Sequence, residues 1–183
     1  MTEEQILAVS VVPPTPHAGR IHLEEYDPAW PHLFDREAHR IRTALGDQAL
    51  QIEHVGSTSV PGLAAKPLID ILLVVPNSAD EPAYVPVLEA AGYILRVREP
   101  DWYEHRLFKG PDTNINLHTF SPGCPEITRM LQFRDWLRGH PADRERYERT
   151  KRELAQQEWQ YVQNYADAKT AVVEAILAQA TRG

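Results

Sequence analysis

The 183-residue chain carries 26 acidic side chains against 19 Lys and Arg, a net charge of −7, and one cysteine, Cys124. That length suits one domain with a core of its own, and the lone thiol excludes an internal disulfide framework and fits a reducing compartment. The acidic balance argues against nucleic acid as a partner, because phosphate binding needs a basic surface. No stretch reads as a signal peptide and no apolar run approaches the length of a bilayer crossing, so a cytoplasmic protein with no membrane partner is expected.

Residues 1–19 contain the run PPTP and little periodicity, which predicts a flexible N-terminal arm ahead of a single domain over 20–183. RIHLEEY alternates enough for a short strand, and Asp27 and Pro28 then supply the cap and first-turn residue of a helix. Its apolar face is Trp30, Leu33, Phe34, Ala38, Ile41 and Leu45, and Gly46 is placed to end it. Four short stretches rich in apolar or β-branched residues, LQIEHV, LIDILLVV, HRLFKG and NINLHTF, read as strands. The turn sequence GPDT joins the last two into an antiparallel hairpin. VPVLEAAGY predicts a helix ending at Gly92, and from Pro125 onward the pattern turns helical, over 126–138, 142–157 and 158–180. The expected fold class is α/β in the α+β sense: a mixed sheet flanked by helices, with a helical C-terminal portion.

Asp70 interrupts the apolar run LIDILLVV. A buried carboxylate has to meet a cation, a metal or several hydrogen-bond donors, so it marks a site, with a structural salt bridge to Lys66 or a histidine as the alternative. The loop before it, GSTSVPG, combines Gly56 and Gly62 with hydroxyls at Ser57, Thr58 and Ser59. Such a loop can cradle a phosphate, although its spacing is neither that of a P-loop nor that of a dinucleotide fold. His54 and His118 stand at the ends of predicted strands, and with Asp70 they would make a two-imidazole, one-carboxylate set suited to a transition metal such as zinc. If the first strand is regular, Glu53 faces away from His54 and is a poor candidate for the same site. Residues 129–152 carry 8 basic side chains against 4 acidic ones, enough to serve an anion or simply to solvate helix faces.

EHVGSTSVPGLAAKPLIDI resembles the signature of the GrpB family, and the likeness extends through IHLEEYDPAWPHLF, NLHTF, FRDWLRGHP, YERTK and YADAKTAVVEAIL. That family is similar to the nucleotidyltransferases related to polymerase β. The resemblance implies a nucleotidyltransferase-like sheet and an in-line nucleotidyl transfer assisted by a divalent metal, magnesium or manganese. Gly56 and Ser57 then match a Gly-Ser turn, and Asp70 matches the first metal-binding carboxylate. The second acid is missing, with Leu72 in its place, and Asn116 and His118 stand where a third would lie. Lys66, Arg134, Lys151 and Lys169 fall in family-like stretches and are the expected anion contacts. The implied partner is a nucleotide or other phosphorylated small molecule, with transfer activity open and no protein partner indicated. The alternatives are a non-catalytic nucleotide- or coenzyme-A-binding, chaperone-like module, given the family's occasional fusion to dephospho-CoA kinase, and a mononuclear metal enzyme built on His54, Asp70 and His118.

Overall fold

A computed structural model describes the whole chain except residues 15, 17, 18, 182 and 183. Its elements in order are α1 (Glu3–Val9), β1 (Gly19–Arg20), α2 (Ala29–Leu45), β2 (Gln51–Val55), β3 (Ile69–Val74), α3 (Glu81–Ala90), β4 (Ile94–Glu99), β5 (His105–Lys109) and β6 (Ile115–Phe120). Then follow α4 (Pro125–Gly139), α5 (Pro141–Ala155), β7 (Glu158–Trp159), α6 (Val162–Ala168) and α7 (Thr170–Ala180). No described helix is long and apolar enough to cross a membrane.

The fold is mixed α+β, as expected. Five strands form one sheet in the order β2-β3-β6-β5-β4. Only β3 and β6 run parallel; the other neighbours are antiparallel, including the β5–β6 hairpin that GPDT predicts. Alternation along β3 divides the two faces. Ile69, Ile71 and Leu73 join the main core with Trp30, Ile41 and Leu45 of α2 and Tyr84, Val85 and Leu88 of α3. Leu72 and Val74 point the other way and meet Ile127, Met130 and Leu131 of α4 together with Val55 and Phe120. Asp70 shares that second face.

Helix α2 starts and stops where its sequence says. The Asp27 carboxylate accepts the Ala29 N–H at 2.8 Å, and Gly46 ends the helix at φ 55°, a conformation that favours glycine. Helices α5 and α7 stack behind α4, burying Leu137, Tyr147, Val172 and Ile176 against Val60 and Leu63 of the loop between β2 and β3. The C-terminal helices therefore back the candidate phosphate loop directly.

Four expectations need correction. Residues 3–9 of the expected flexible arm are helix α1, opened by a capping box from Thr2 and Gln5, while 15, 17 and 18 lie outside the described residues. This helix is held at both ends: Ser10 bridges Val97, and Tyr161 donates to Glu3 at 2.7 Å. RIHLEEY is a strand only at Arg20, with a separate bridge from Glu24 to Ala65. The continuous helix expected over 158–180 is divided into β7, α6 and α7. Strand β4 was not expected at all, because Arg96, Arg98 and Glu99 break its apolar pattern, as suits the sheet edge it occupies.

Candidate functional site

The strand register lines up one row of side chains across the second face: Val55, Asp70, Asn116 and Lys109 pair in turn from β2 through β3 and β6 to β5. Lys109 Nζ donates to Asn116 Oδ1 at 2.6 Å, and Asn116 Nδ2 donates to Asp70 Oδ1 at 3.0 Å. In the next row His118 brings Nε2 to 3.5 Å from the same Asp70 oxygen. Burial works to raise the Asp70 carboxyl, but the His118 and Asn116 hydrogen bonds and the positive charges of His118 and Lys66 outweigh it and hold the group below its usual range.

Strand β2 ends against this carboxylate. Gly56 has φ 69°, and a Cβ built there would overlap Asp70 Oδ2 and lie 2.9 Å from Asp70 Cβ. The glycine is thus required twice, by its backbone and by the closeness of Asp70. A single 3-10 turn, Ser57–Ser59, follows. Its three hydroxyls have different fates. Thr58 is buried and spent on the Leu68 carbonyl at 3.1 Å and the His54 ring at 3.0 Å. Ser59 bonds the Gly56 carbonyl at 2.6 Å. Ser57, half-buried beside Asp70, is the hydroxyl available to a ligand.

The chain has only four lysines; Lys66 and Lys109 lie beside Asp70, Lys169 is near Lys66, and Lys151 is near Lys169. Lys66 is half-buried and its ammonium is pushed down to about 8 by burial; Asp70 opposes the push, and Lys169 and Lys109 add to it. Burial also lowers Lys109, again against the pull of Asp70 and with Arg96 adding to the fall. Lys151 is buried, and burial, with Lys169 adding, brings it down to about 7. Lys169 sits over the Tyr165 ring at 4.6 Å. Among the described residues none of the four lysines forms an ion pair with a carboxylate within 4.0 Å. Many arginines, by contrast, are committed: Arg40 to Asp112, Arg98 and Arg106 to Glu81, Arg129 to Glu174, Arg152 to Glu25.

Of the residues expected at the site, the structure brings together Asp70, His118, Gly56, Ser57, Lys66 and Lys169. Others have different work. Arg134 is consumed by Glu53 at 2.9 Å, Asp135 at 2.7 Å and the His54 carbonyl at 3.0 Å, so it ties α4 to β2. Lys151 donates to the Ala64 carbonyl, and Glu148 accepts the Ala64 N–H at 3.1 Å. Arg138 donates twice to the Ser59 carbonyl, at 2.9 and 2.7 Å. Helices α4 and α5 therefore fix the loop's shape from behind. His54 pairs with Ile71, not Asp70, so its ring leaves by the other face, stacked on Phe34 at 4.9 Å. Burial, opposed by Asp70, pushes that ring down to about 4. The residue facing Asp70's side is Glu53, which reverses the expected preference, although Arg134 occupies it. Lys109, His105 and Glu99 were missed; the alternation of HRLFK, read against the hairpin partner NINLHTF, puts His105 and Lys109 on the Asp70 face.

The donor set does not fit the expected metal. Among the described residues no group of three or more His, Cys, Asp and Glu side chains is arranged to hold one. Leu72, fully buried, fills the place of the second acid. Asp70 Oδ1 already receives Asn116 and faces His118, and Oδ2 packs on Gly56. What the arrangement offers instead, around Asp70, is the ammonium groups of Lys66 and Lys109, the Asn116 amide, the Ser57 hydroxyl and the His118 imidazole.

The GrpB protein family model matches residues 20–179. A UPF0157 protein of Halalkalibacterium halodurans is 64% identical over 179 residues, 98% of this chain and 92% of that protein. A dephospho-CoA kinase of Mycolicibacterium paratuberculosis is 34% identical over 162 residues, 74% of this chain but only 40% of the kinase. Among solved structures, the conserved protein GrpB from Enterococcus faecalis superposes with a TM-score of 0.73 at 32% identity, covering 88% of this chain and 98% of that one. With the match running from the first strand to the last helix, the chain belongs to the GrpB family.

Proposed function

We propose that the cluster of groups around Asp70 binds the phosphate groups of a nucleotide or similar phosphorylated small molecule. One observation carries the reading: Lys66 and Lys109, two of only four lysines in an acidic chain, flank Asp70 with no ion-pair partner within 4.0 Å among the described residues, and Lys169 adds its charge beside Lys66. Holding several ammonium groups together, partly out of water, costs stability, and a bound polyanion offsets that cost. Lys66, Lys109 and Lys169 then supply the charge, Ser57 and the backbone of the turn approach the phosphate closely because Gly56 has no side chain, and Asp70 with Asn116 orients Lys109. A second reading, a ligand of the coenzyme A type, is favoured by the likeness to part of proteins named dephospho-CoA kinase; such a ligand brings the same phosphate chemistry.

Titration calorimetry with inorganic triphosphate, adenosine triphosphate, coenzyme A and adenosine tests both readings. The phosphorylated compounds should bind and adenosine should not. Lys66→Met should weaken triphosphate binding about 10- to 150-fold, the loss expected for one charge-assisted hydrogen bond of roughly 1.5–3 kcal/mol. Adenosine binding as well as its triphosphate, or Lys66→Met binding triphosphate like wild type, would overturn the proposal.

A further inference from the structure

The link between β4 and β5, residues 100–104, is the one place among the described residues where side chains other than glycine take positive φ: Tyr103 at 55° and Glu104 at 52°. Two such residues in succession are costly, and strain of this kind persists where the surroundings demand a particular geometry. The turn that contains them sets Trp102 over the sheet. The Trp102 ring stands at 86° to His105 with centroids 5.2 Å apart and at 72° to Phe120 at 5.8 Å, and Tyr103 lies tilted beside it at 5.7 Å. None of the three contacts is a parallel stack. Trp102 remains 40% exposed and Tyr103 48%, so the indole is held firmly by its neighbours and still offers ring surface to a ligand.

Trp102 stands at the far end of a strip that starts at Asp70. Asn116, His118 and Phe120 alternate onto one face of β6, the face that Asp70 shares. Asn116 receives the Lys109 bond, His118 stacks on His105 at 5.3 Å, and His105 stacks on Phe120 at 4.8 Å. From Asn116 to Phe120 the strand covers about 13 Å. Between the two ends lie His118, Leu107 and Val97, neighbours in one row across β6, β5 and β4 and all half-buried.

The two ends also differ in charge. Lys66 and Lys109 flank Asp70, whereas the turn that carries Trp102 brings Glu99, Asp101 and Glu104. Glu99 lies 2.6 Å from His105, Glu104 accepts from Arg106 at 3.1 Å, and Asp101 is exposed. A polyphosphate is drawn to the lysine end and repelled from the aromatic one. A ligand that has both a polyanion and a flat ring therefore has one orientation, with its phosphates at Ser57, Lys66 and Lys109 and its ring against Trp102.

We propose that Trp102 is the seat of a nucleobase, and that the ligand class is a nucleoside polyphosphate, not a polyphosphate or sugar phosphate without an aromatic ring. The inference rests on the phosphate-binding reading above and adds the uncharged part of the ligand. An extended nucleoside triphosphate has the reach to span the strip. Every base has a π-face, so stacking on an indole selects for a base without choosing which one.

Calorimetry of the full chain with adenosine triphosphate and inorganic triphosphate, on wild type, Trp102→Ala and Trp102→Phe, tests the assignment. Trp102→Ala should weaken adenosine triphosphate about 5- to 150-fold, the range that loss of one stacked base covers. It should change inorganic triphosphate by less than about twofold, as expected of a distant, independent site, which also shows that the variant is folded. Trp102→Phe keeps an aromatic ring and should fall between wild type and Trp102→Ala for adenosine triphosphate. In wild-type nitrogen–proton spectra, with the signal assigned from Trp102→Phe, adenosine triphosphate should move the Trp102 indole Nε1–H resonance and inorganic triphosphate should not. Trp102→Ala binding adenosine triphosphate like wild type overturns the base seat and leaves the phosphate reading standing. If Trp102→Ala loses both ligands alike, the wild-type spectrum decides, and an indole resonance that adenosine triphosphate leaves in place overturns the base seat. Self-association of wild type that Trp102→Ala abolishes would assign the ring to an interface between copies and overturn it too. Inorganic triphosphate failing to bind wild type refutes the phosphate reading, and the base seat falls with it.

Discussion

Replacing Gly56 by alanine should damage the fold before it damages any ligand contact. Two separate costs apply. The backbone sits at φ 69°, ψ −173°, an extended positive-φ region reserved almost entirely for glycine that costs a residue with a Cβ about 1–3 kcal/mol. The new methyl would also overlap Asp70 Oδ2 and lie 2.9 Å from Asp70 Cβ, so the carboxylate must shift and weaken its bonds from Asn116 and His118. A hydrogen bond to a charged group contributes about 1.5–3 kcal/mol, less here because a quarter of the Asp70 side chain faces water. Together these give a loss of about 2–5 kcal/mol, or about 4–20 °C in melting temperature for a chain of this size. Gly62 is the internal control: its φ is 77°, yet nothing lies within 4 Å of the Cβ position, so Gly62→Ala should show only the backbone cost of about 1–2 kcal/mol. Urea unfolding of the two variants in parallel reads the difference. Equal destabilisation would mean that Asp70 does not press on Gly56 and that the turn is free to move.

The affinity for inorganic triphosphate should fall as pH rises through about 8, where Lys66 loses its proton in the folded protein; Lys66→Arg, charged throughout, should lose that inflection in calorimetric titrations. For folding the sign is opposite: the unfolded chain holds the Lys66 proton up to its ordinary 10.5 and the folded one only to about 8, so apo stability should gain between those values, and Lys66→Met should remove the gain in urea titrations repeated across pH. Deleting residues 1–11 should uncover the β4 edge, since it removes the Ser10–Val97 bridge and the Val11 N–H bond to the Arg96 carbonyl at 2.9 Å. Amide exchange over 96–98 should quicken and light scattering should show association rising with concentration; unaltered exchange would mean that α1 does not protect the strand.

Strands β2, β3, β5 and β6 were legible because each is a short apolar or β-branched run bounded by turn residues, and α2 because its cap, stripe and terminal glycine agree. Strand β4 was not, since an edge strand carrying Arg96, Arg98 and Glu99 has the composition of a surface segment. Its absence from the reading also hid the anchorage of α1, which needs that edge as a partner. At the site, Asp70, Gly56, Ser57 and Lys66 were visible in one contiguous stretch. His54 was misplaced because adjacency in sequence is not adjacency on a face: Val55 is the residue opposite Asp70, so His54 lies one register step away and on the other side. Arg134 and Lys151 looked like ligand contacts because both are basic in family-like segments, and only the tertiary packing shows that they hold β2 and the loop. Lys109 and His105 depended on hairpin register across β5 and β6, which a turn sequence suggests but does not number.

The bonds from Arg138 and Lys151 to the loop carbonyls join residues 79 and 87 positions apart. During synthesis the loop leaves the ribosome long before either side chain exists, and at ordinary elongation rates the wait is roughly 4–17 s. For that interval the nascent chain has all five strands' worth of sequence in prospect but no means of fixing its turn, with Val60 and Leu63 lacking the helices that cover them. A ribosome paused before α5 would display a sheet-forming fragment whose β2–β3 loop lacks the Lys151 bond and part of its apolar cover. The loop therefore reaches its final shape only when the chain that carries it is nearly finished.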